Sequence, residues 1–223
     1  RKFANAFGIR RFHEADGIAH TLMVEKGYAQ PGMMYLGSDS HTCTAGALGC
    51  LALGVGSTDM LGIVTTGQTW LRVPHSIRVQ VNGELSAGVA AKDLILTIIG
   101  DKGMDGGLYR VLEFGGPAID AMSMQERSVL TNMCAEIGAK TGIIPSDRVT
   151  VKHLAALGVD AGEGPTSDSD AVYEQVWNYN ATDVAPVVAR PNRHDDVIPI
   201  SSLGEPAVTR AYIGSCTGAK YED

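Results

Sequence analysis

The residues Ser38-Asp39-Ser40-His41-Thr42-Cys43-Thr44 form one polar run between Gly37 and Ala45-Gly46. Asp39 and His41 stand two apart, so in extended backbone they project to the same side. A carboxylate beside an imidazole fixes its tautomer and stabilises its charged form, which makes the two a candidate acid–base pair. The same residues would equally make an Asx-type turn with a hydroxyl cap, and the segment alone does not choose. A second candidate lies in a helix spanning 123–140. Val129, Met133 and Ile137 mark its apolar stripe, and Asn132 and Glu136 sit at i, i+4 on an adjoining face. Glu136 is surrounded in sequence by Met133, Cys134, Ala135, Ile137 and Gly138. Its carboxylate must reach a partner or carry a raised pKa, unless it lies half-exposed on the helix edge. His20 stands near apolar residues, a setting more often occupied by a satisfied core histidine than by a catalyst. His13, His75, His153 and His194 fall in polar or loop contexts and are not singled out. A serine hydrolase is unsupported, because GSDSH lacks the G-x-S-x-G elbow.

These side chains need elements to hold them. RKFANAFG reads as the end of a helix stopped by Gly8, and MMYL at 33–36 as a buried strand running into the polar run. AGALGCLALGVG is small and apolar and reads as a tightly packed helix. Ser57-Thr58-Asp59 would cap a further helix to about Trp70, and Pro74 ends the block. SIRVQVNG alternates like a strand closed by an Asn-Gly turn, AAKDLILTIIG reads as a helix closed by Gly100, and LYRVLEF as another strand. SMQERSVLTNMCAEIGAK gives the clearest helix, followed by the short helix VTVKHLAAL. From 162 to 206 the chain reads as loops with one strand, YEQVWNY. TRAYIGSCTG repeats the earlier logic: an apolar strand, then Gly-Ser and a reactive residue, Cys216. The alternation of strands and helices predicts an α/β architecture of layered sheets and helices. In such sheets ligands bind at the carboxyl ends of strands, where both GSDSHT and GSCTG fall.

The totals limit the alternatives. The chain has 223 residues, 44% of them hydrophobic, and a formal net charge of -7. Its basic clusters, Arg1-Lys2 and Arg10-Arg11, are too short to propose a nucleic-acid face. No apolar run approaches the ~20 residues that span a bilayer, and the first residues show no signal core. The expectation is a cytoplasmic protein with neither nucleic-acid nor membrane partner. Cysteines at 43, 50, 134 and 216 show no C-x-x-C spacing, and Cys50 and Cys134 read as small buried hydrophobes.

Taken in order, GIAH at 17–20, PGMMYLGSDSHT at 31–42, LSAGVAAKDLIL at 85–96, TNMCAEIGA at 131–139 and IGSCTG at 213–218 resemble the aconitase superfamily. Within it, the likeness is to the large (catalytic) subunits of the 3-isopropylmalate dehydratase and homoaconitase branch. The resemblance implies the layered αβα domains of an iron–sulfur hydro-lyase, incomplete here: 1–74 as the C-terminal part of the first, 75–195 as the second, 196–223 as the start of the third. It implies a dehydratase/isomerase of small hydroxy di- or tricarboxylic acids, working in amino-acid biosynthesis with a 4Fe-4S cluster held by three cysteines. One iron, left without a thiolate, would act as a Lewis acid on the substrate hydroxyl. Carried over residue by residue, Cys216 matches a cluster ligand. Asp39 and His41 match the family's catalytic Asp-Ser-His, with Ser40 between them on the substrate carboxylate. His20 matches a site histidine. Asn132, toward the cluster, and Glu136 line the site, with His41 and Glu136 as an acid–base pair about the leaving hydroxyl. Cys43, Cys50 and Cys134 gain no cluster role.

Two departures stand out. Cys216-Thr217-Gly218 replaces the family's Cys-Thr-Asn. The C-x-x-C supplying two further ligands, an N-terminal segment with its own Asp-His pair, and the small swivelling domain or subunit do not occur in these residues. The expectation is therefore an internal fragment, inactive by itself. Two other functions remain in play: a hydro-lyase for another branched malate such as dimethylmalate, and a cluster-free aconitase-like binding protein.

Overall fold

The computed structural model describes residues 1–219. In chain order the elements are α1 (Lys2–Ala6), α2 (Ala19–Glu25), β1 (Met34–Gly37), β2 (Leu51–Gly54), α3 (Ser57–Thr66), β3 (Ser76–Asn82), α4 (Ala91–Lys102), β4 (Val111–Gly115), α5 (Pro117–Ala121), α6 (Met124–Asn132), β5 (Thr141–Ile143), α7 (Arg148–Ala156), β6 (Gln175–Asn180), β7 (Val187–Ala189) and β8 (Val197–Pro199). Two 3-10 helices matter to the site, Thr42–Leu48 after β1 and Met133–Ile137 after α6.

β3 sits inside a four-stranded parallel sheet of order β5-β4-β3-β6. Its alternation is what the sequence pattern requires: Ile77, Val79 and Val81 are fully buried against one face. Leu94, Ile95, Ile98 and Ile99 of α4 pack into the same core, with Leu112 and Phe114 of β4. On the other face Arg78 and the buried Glu113 pair across β3 and β4 at 2.6 Å, and the Ser167 and Tyr173 hydroxyls donate to the same carboxylate. The loop of 162–174 is thereby pinned over a face that carries polar side chains rather than helices.

Of the two two-stranded sheets, β7–β8 is antiparallel and β1–β2 is a parallel pair joined through the first 3-10 helix. That helix wedges against β5 and α6. Ile144 N–H donates to Gly46 O at 3.0 Å, and Thr131 Oγ1 donates to Thr44 O at 2.9 Å. A Cβ on Gly46 would collide with the Gly142 carbonyl oxygen, and one on Gly142 with the Cys134 sulfur. Only glycines allow this approach, which is how the site loop is pulled against α6. The helix stops at Gly49, whose φ of 71° is left-handed.

Several elements differ from the sequence reading, each for a tertiary reason. AGALGCLALGVG is not one helix: its first part belongs to the 3-10 helix and Leu51–Gly54 becomes β2, because β1 offers a parallel edge to pair with. α3 begins after Gly56, without a side-chain cap, and ends at Thr66. α4 runs through Gly100 to Lys102; Gly100 lies under Val197 of β8, where a Cβ would be crowded, and Gly103 ends the helix. The helix expected over 123–140 changes to 3-10 after Asn132. The segment 162–206 carries three strands, not one. TRAYIGSC forms no strand among the described residues: nothing pairs with it, and Tyr212 and Ile213 are exposed.

Candidate active site

β1 ends at Gly37, and the chain turns through Ser38–His41 before the 3-10 helix starts. The turn is held by its own side chains. Asp39 Oδ1 accepts from His41 N–H at 2.9 Å, Thr42 Oγ1 donates to Asp39 O at 2.6 Å, and Thr44 Oγ1 donates to His41 O at 2.7 Å. This is the Asx turn the sequence allowed, and it coexists with the acid–base arrangement instead of replacing it. It also corrects one expectation. Asp39 and His41 are not side-chain partners, because the turn breaks extended geometry and each finds an imidazole or carboxylate elsewhere.

Asp39 pairs with His20, the second residue of α2. His20 Nδ1 lies 3.0 Å from Asp39 Oδ2, and the ring is only 1% exposed. A proton on Nδ1 leaves Nε2 as an acceptor, and Asn132 Nδ2 stands 3.5 Å from it. Burial pushes the Asp39 carboxyl up, but the His41 backbone N–H and the His20 side chain outweigh it and hold its pKa below the ordinary aspartate value. Asn132, fully buried at the last turn of α6, also donates from Nδ2 to Thr44 Oγ1 at 2.9 Å, with Cys216 Sγ at 3.7 Å. The amide orientation follows: Thr44 Oγ1 gives its own hydrogen to His41 O, so it can only accept from Asn132. Asn132 Oδ1 then has no partner among the described residues, a buried acceptor whose desolvation costs about 1–3 kcal/mol unless a donor arrives.

The outer half of the site is built on His41 and Glu136. His41 Nε2 lies 3.2 Å from Glu136 Oε1, and Ser40 Oγ lies 2.9 Å from His41 Nδ1. The His20 and His41 ring centroids are 5.9 Å apart, so the two carboxylate–imidazole pairs lie side by side. Val129, Met133 and Ile137 are buried as the stripe requires, which leaves Glu136 on the cleft side with a partner.

Two side chains here are not among those picked out from the sequence: the loop context of His194 does not single it out, and Lys92 is not weighed there. His194, from the turn between β7 and β8, places Nδ1 3.2 Å from Glu136 Oε2. Lys92, in the first turn of α4, has its ammonium 3.6 Å from the Met133 sulfur. Burial lowers the Lys92 pKa, while Cys216 and Glu136 pull it back up. Lys92 lies inside the motif-bearing stretch LSAGVAAKDLIL, which was a usable signal; His194 had none, because its contact is set by a hairpin.

As to cofactors, the four cysteines separate by environment. Burial pushes the Cys43 thiol up to about 12 and Cys50 up to about 11, and raises Cys134 well above the ordinary value. Such thiols are poor metal ligands. Cys216 alone stands partly exposed at the cleft. Among the described residues no group of three or more His, Cys, Asp and Glu could hold a metal ion. The donor set on these residues is thus one thiol beside an amide, which suits one corner of a thiolate-held cluster and no more. Gly218 has φ of 82°, a left-handed position that asparagine also tolerates, so Cys-Thr-Gly and Cys-Thr-Asn suit the same backbone. No helix among the described residues is long and apolar enough to cross a membrane.

Two carboxylate–imidazole pairs, a buried amide and a thiol, brought together from the turn after β1, α2, α6, the second 3-10 helix and the loop at Cys216, form an arrangement suited to acid–base chemistry on an α/β scaffold. The chain belongs to the aconitase family: the profile of the Aconitase family (aconitate hydratase) matches residues 1–207. It is 46% identical over 225 residues to the 3-isopropylmalate dehydratase large subunit of Halothermothrix orenii and 44% identical over 225 residues to that of Oleidesulfovibrio alaskensis. It is 41% identical over 224 residues to a probable methanogen homoaconitase large subunit of Methanothermobacter thermautotrophicus. Each alignment covers 100% of this chain but 54%, 54% and 52% of the respective relative, so the chain spans about half the length of the curated relatives it matches.

Proposed function

We propose that these residues belong to the large subunit of an iron–sulfur hydro-lyase that dehydrates and rehydrates a small hydroxy di- or tricarboxylic acid, of the 3-isopropylmalate or homoaconitate type. The carrying observation is the convergence of His20–Asp39, His41–Glu136, Asn132 and Cys216 on one another. Removing water requires a proton for the departing hydroxide, whose leaving ability is poor without one. Glu136 and His41 form the more open pair and supply or receive that proton. His20, buried, and Asp39, partly exposed, orient the loop that carries Ser40 and His41. Ser40 offers a hydroxyl to a substrate carboxylate. Cys216 would hold one corner of a 4Fe-4S cluster whose chemistry, when bound, is Lewis-acid polarisation of the substrate hydroxyl. Asn132, with Nδ2 toward Cys216 Sγ and an unsatisfied Oδ1, lines the same corner. The remaining thiolates, and a small swivelling subunit or domain that closes over the substrate, come from polypeptide outside these residues. In this reading 1–74, 75–195 and 196–223 fall in three successive αβα domains.

The test is turnover by the full-length protein with its small subunit, after anaerobic reconstitution with iron and sulfide. Alkene formation from 3-isopropylmalate or its homoaconitate-type counterpart is expected. Absence of alkene from these substrates and from dimethylmalate, with the cluster spectrum present, would remove the reading. Cys216→Ser in the same protein is expected to abolish stable cluster assembly, read as iron and acid-labile sulfide per chain.

A further inference from the structure

Glu136 has two oxygens, and the acid–base pair with His41 uses only Oε1. His194 Nδ1 lies 3.2 Å from Oε2, within ion-pair distance. The two imidazoles come from opposite ends of the chain's architecture: His41 from the turn after β1, His194 from the tip of the antiparallel hairpin β7–β8. That hairpin is not free to drift. Val187 N–H donates to Asp93 Oδ1 of α4 at 2.9 Å, and Val197 packs over Gly100 of the same helix. Its tip is closed by Arg190 N–H on Asp196 O at 2.8 Å, by the bidentate Arg190–Asp196 pair, and by Arg193 paired to Asp195. Asn192 takes the left-handed φ of 77° that the tight turn needs. Both arginines of the tip are thus matched to the tip's own aspartates, and His194 is the tip side chain that turns to Glu136.

We propose that His194 is a positioning residue for the acid–base pair. By donating from Nδ1 to Oε2 it fixes the rotation of the Glu136 carboxylate, so that Oε1 stays within reach of His41 Nε2. A carboxylate held at one oxygen can swing about its last side-chain bond, whereas one held at both cannot. The proposal rests on the hydro-lyase reading for its kinetic consequence, but its structural content does not.

Two measurements on the full-length protein separate these. In cluster-free protein labelled with 15N-histidine, the His194 ring is expected to report a protonated Nδ1. Glu136→Ala is expected to return it to the Nε2–H form. In the reconstituted enzyme, His194→Ala is expected to lower kcat about ten-fold, the scale seen when the partner that orients a ligating or reacting group is removed, with KM within about two-fold. His194→Asn, whose amide N–H can stand where Nδ1–H stood, is expected to recover kcat to within about three-fold of wild type. A His194 ring in the Nε2–H form that ignores Glu136→Ala would overturn the proposal. So would wild-type kcat in His194→Ala. If the wild-type enzyme itself makes no alkene, the hydro-lyase reading falls, and the tautomer measurement alone decides for or against His194.

Discussion

The inner and outer halves of the site use the same pair of groups but differ in how deeply the imidazole is buried. Inside, His20 and Asp39 lie 3.0 Å apart with the imidazole 1% exposed and the carboxylate side chain 28% exposed, the ring backed by the buried Asn132 and Thr44. Outside, His41 and Glu136 lie 3.2 Å apart with side chains 22% and 23% exposed, and His194 beyond them is half-exposed. A proton can reach either carboxylate and the His41 ring through water, whereas the His20 ring is enclosed among α2, α6 and the 3-10 helix. Two imidazoles in different environments can therefore carry different roles, the buried one holding geometry and the half-open one moving protons.

Substitutions can break that division. The largest effect is expected at Asp39→Ala in the full-length enzyme, because it leaves a buried imidazole without its carboxylate beside the reacting pair. Turnover should fall about 10³-fold or more while the cluster spectrum survives; turnover near wild type would take the inner pair out of the site. Glu136→Gln comes next. It keeps size and one acceptor but cannot exchange a proton, and a loss of about 10²-fold in kcat is expected, with little change in KM. A change confined to KM would instead make Glu136 a binding residue. Thr44→Val should be smaller, about 1–3 kcal/mol in unfolding free energy by denaturant titration, since it strips the Asn132 amide and the His41 carbonyl of one shared hydroxyl. An unchanged midpoint would mean that water replaces that hydroxyl and that the inner half is wetter than its burial implies.

Acid sharpens the comparison most gently. The Asp39 pKa is lowered in the folded protein, so the pair's contribution to stability is complete above the ordinary aspartate value of about 3.9 and fades as pH falls through the lower folded value. A thermal midpoint followed from pH 5 downward should decline in wild type and decline less in Asp39→Asn. Parallel curves for the two proteins would show that Asp39 is not held below its unfolded value.

Some of this was legible early. The alternation in SIRVQVN and the apolar content of AAKDLILTII led directly to β3 and α4, because period and burial coincide when a whole face is covered. The stripe Val129, Met133 and Ile137 was right even though the helix changes to 3-10 in its middle, since both forms keep residues three to four apart near one face. The Gly-rich stretch after Thr44 misled because its small residues have no period; β2 exists only because β1 lies alongside. The apolar TRAYIGSC was misread for the converse reason: strand-forming side chains without a partner edge make no strand.

The sequence by itself determined which reactive groups exist, that Asp39 and His41 flank a serine at a strand's end, and that Asn132 and Glu136 are one helical turn apart. Local geometry and side-chain chemistry suffice for that much. Which imidazole meets which carboxylate was decided only by tertiary structure, which pairs Asp39 with His20 and brings His194 to Glu136. Those contacts join residues far apart in the chain. Their distances depend on the close approach at Gly46 and Gly142 and on the docking of a hairpin on α4, neither of which has a signature within any short window of residues.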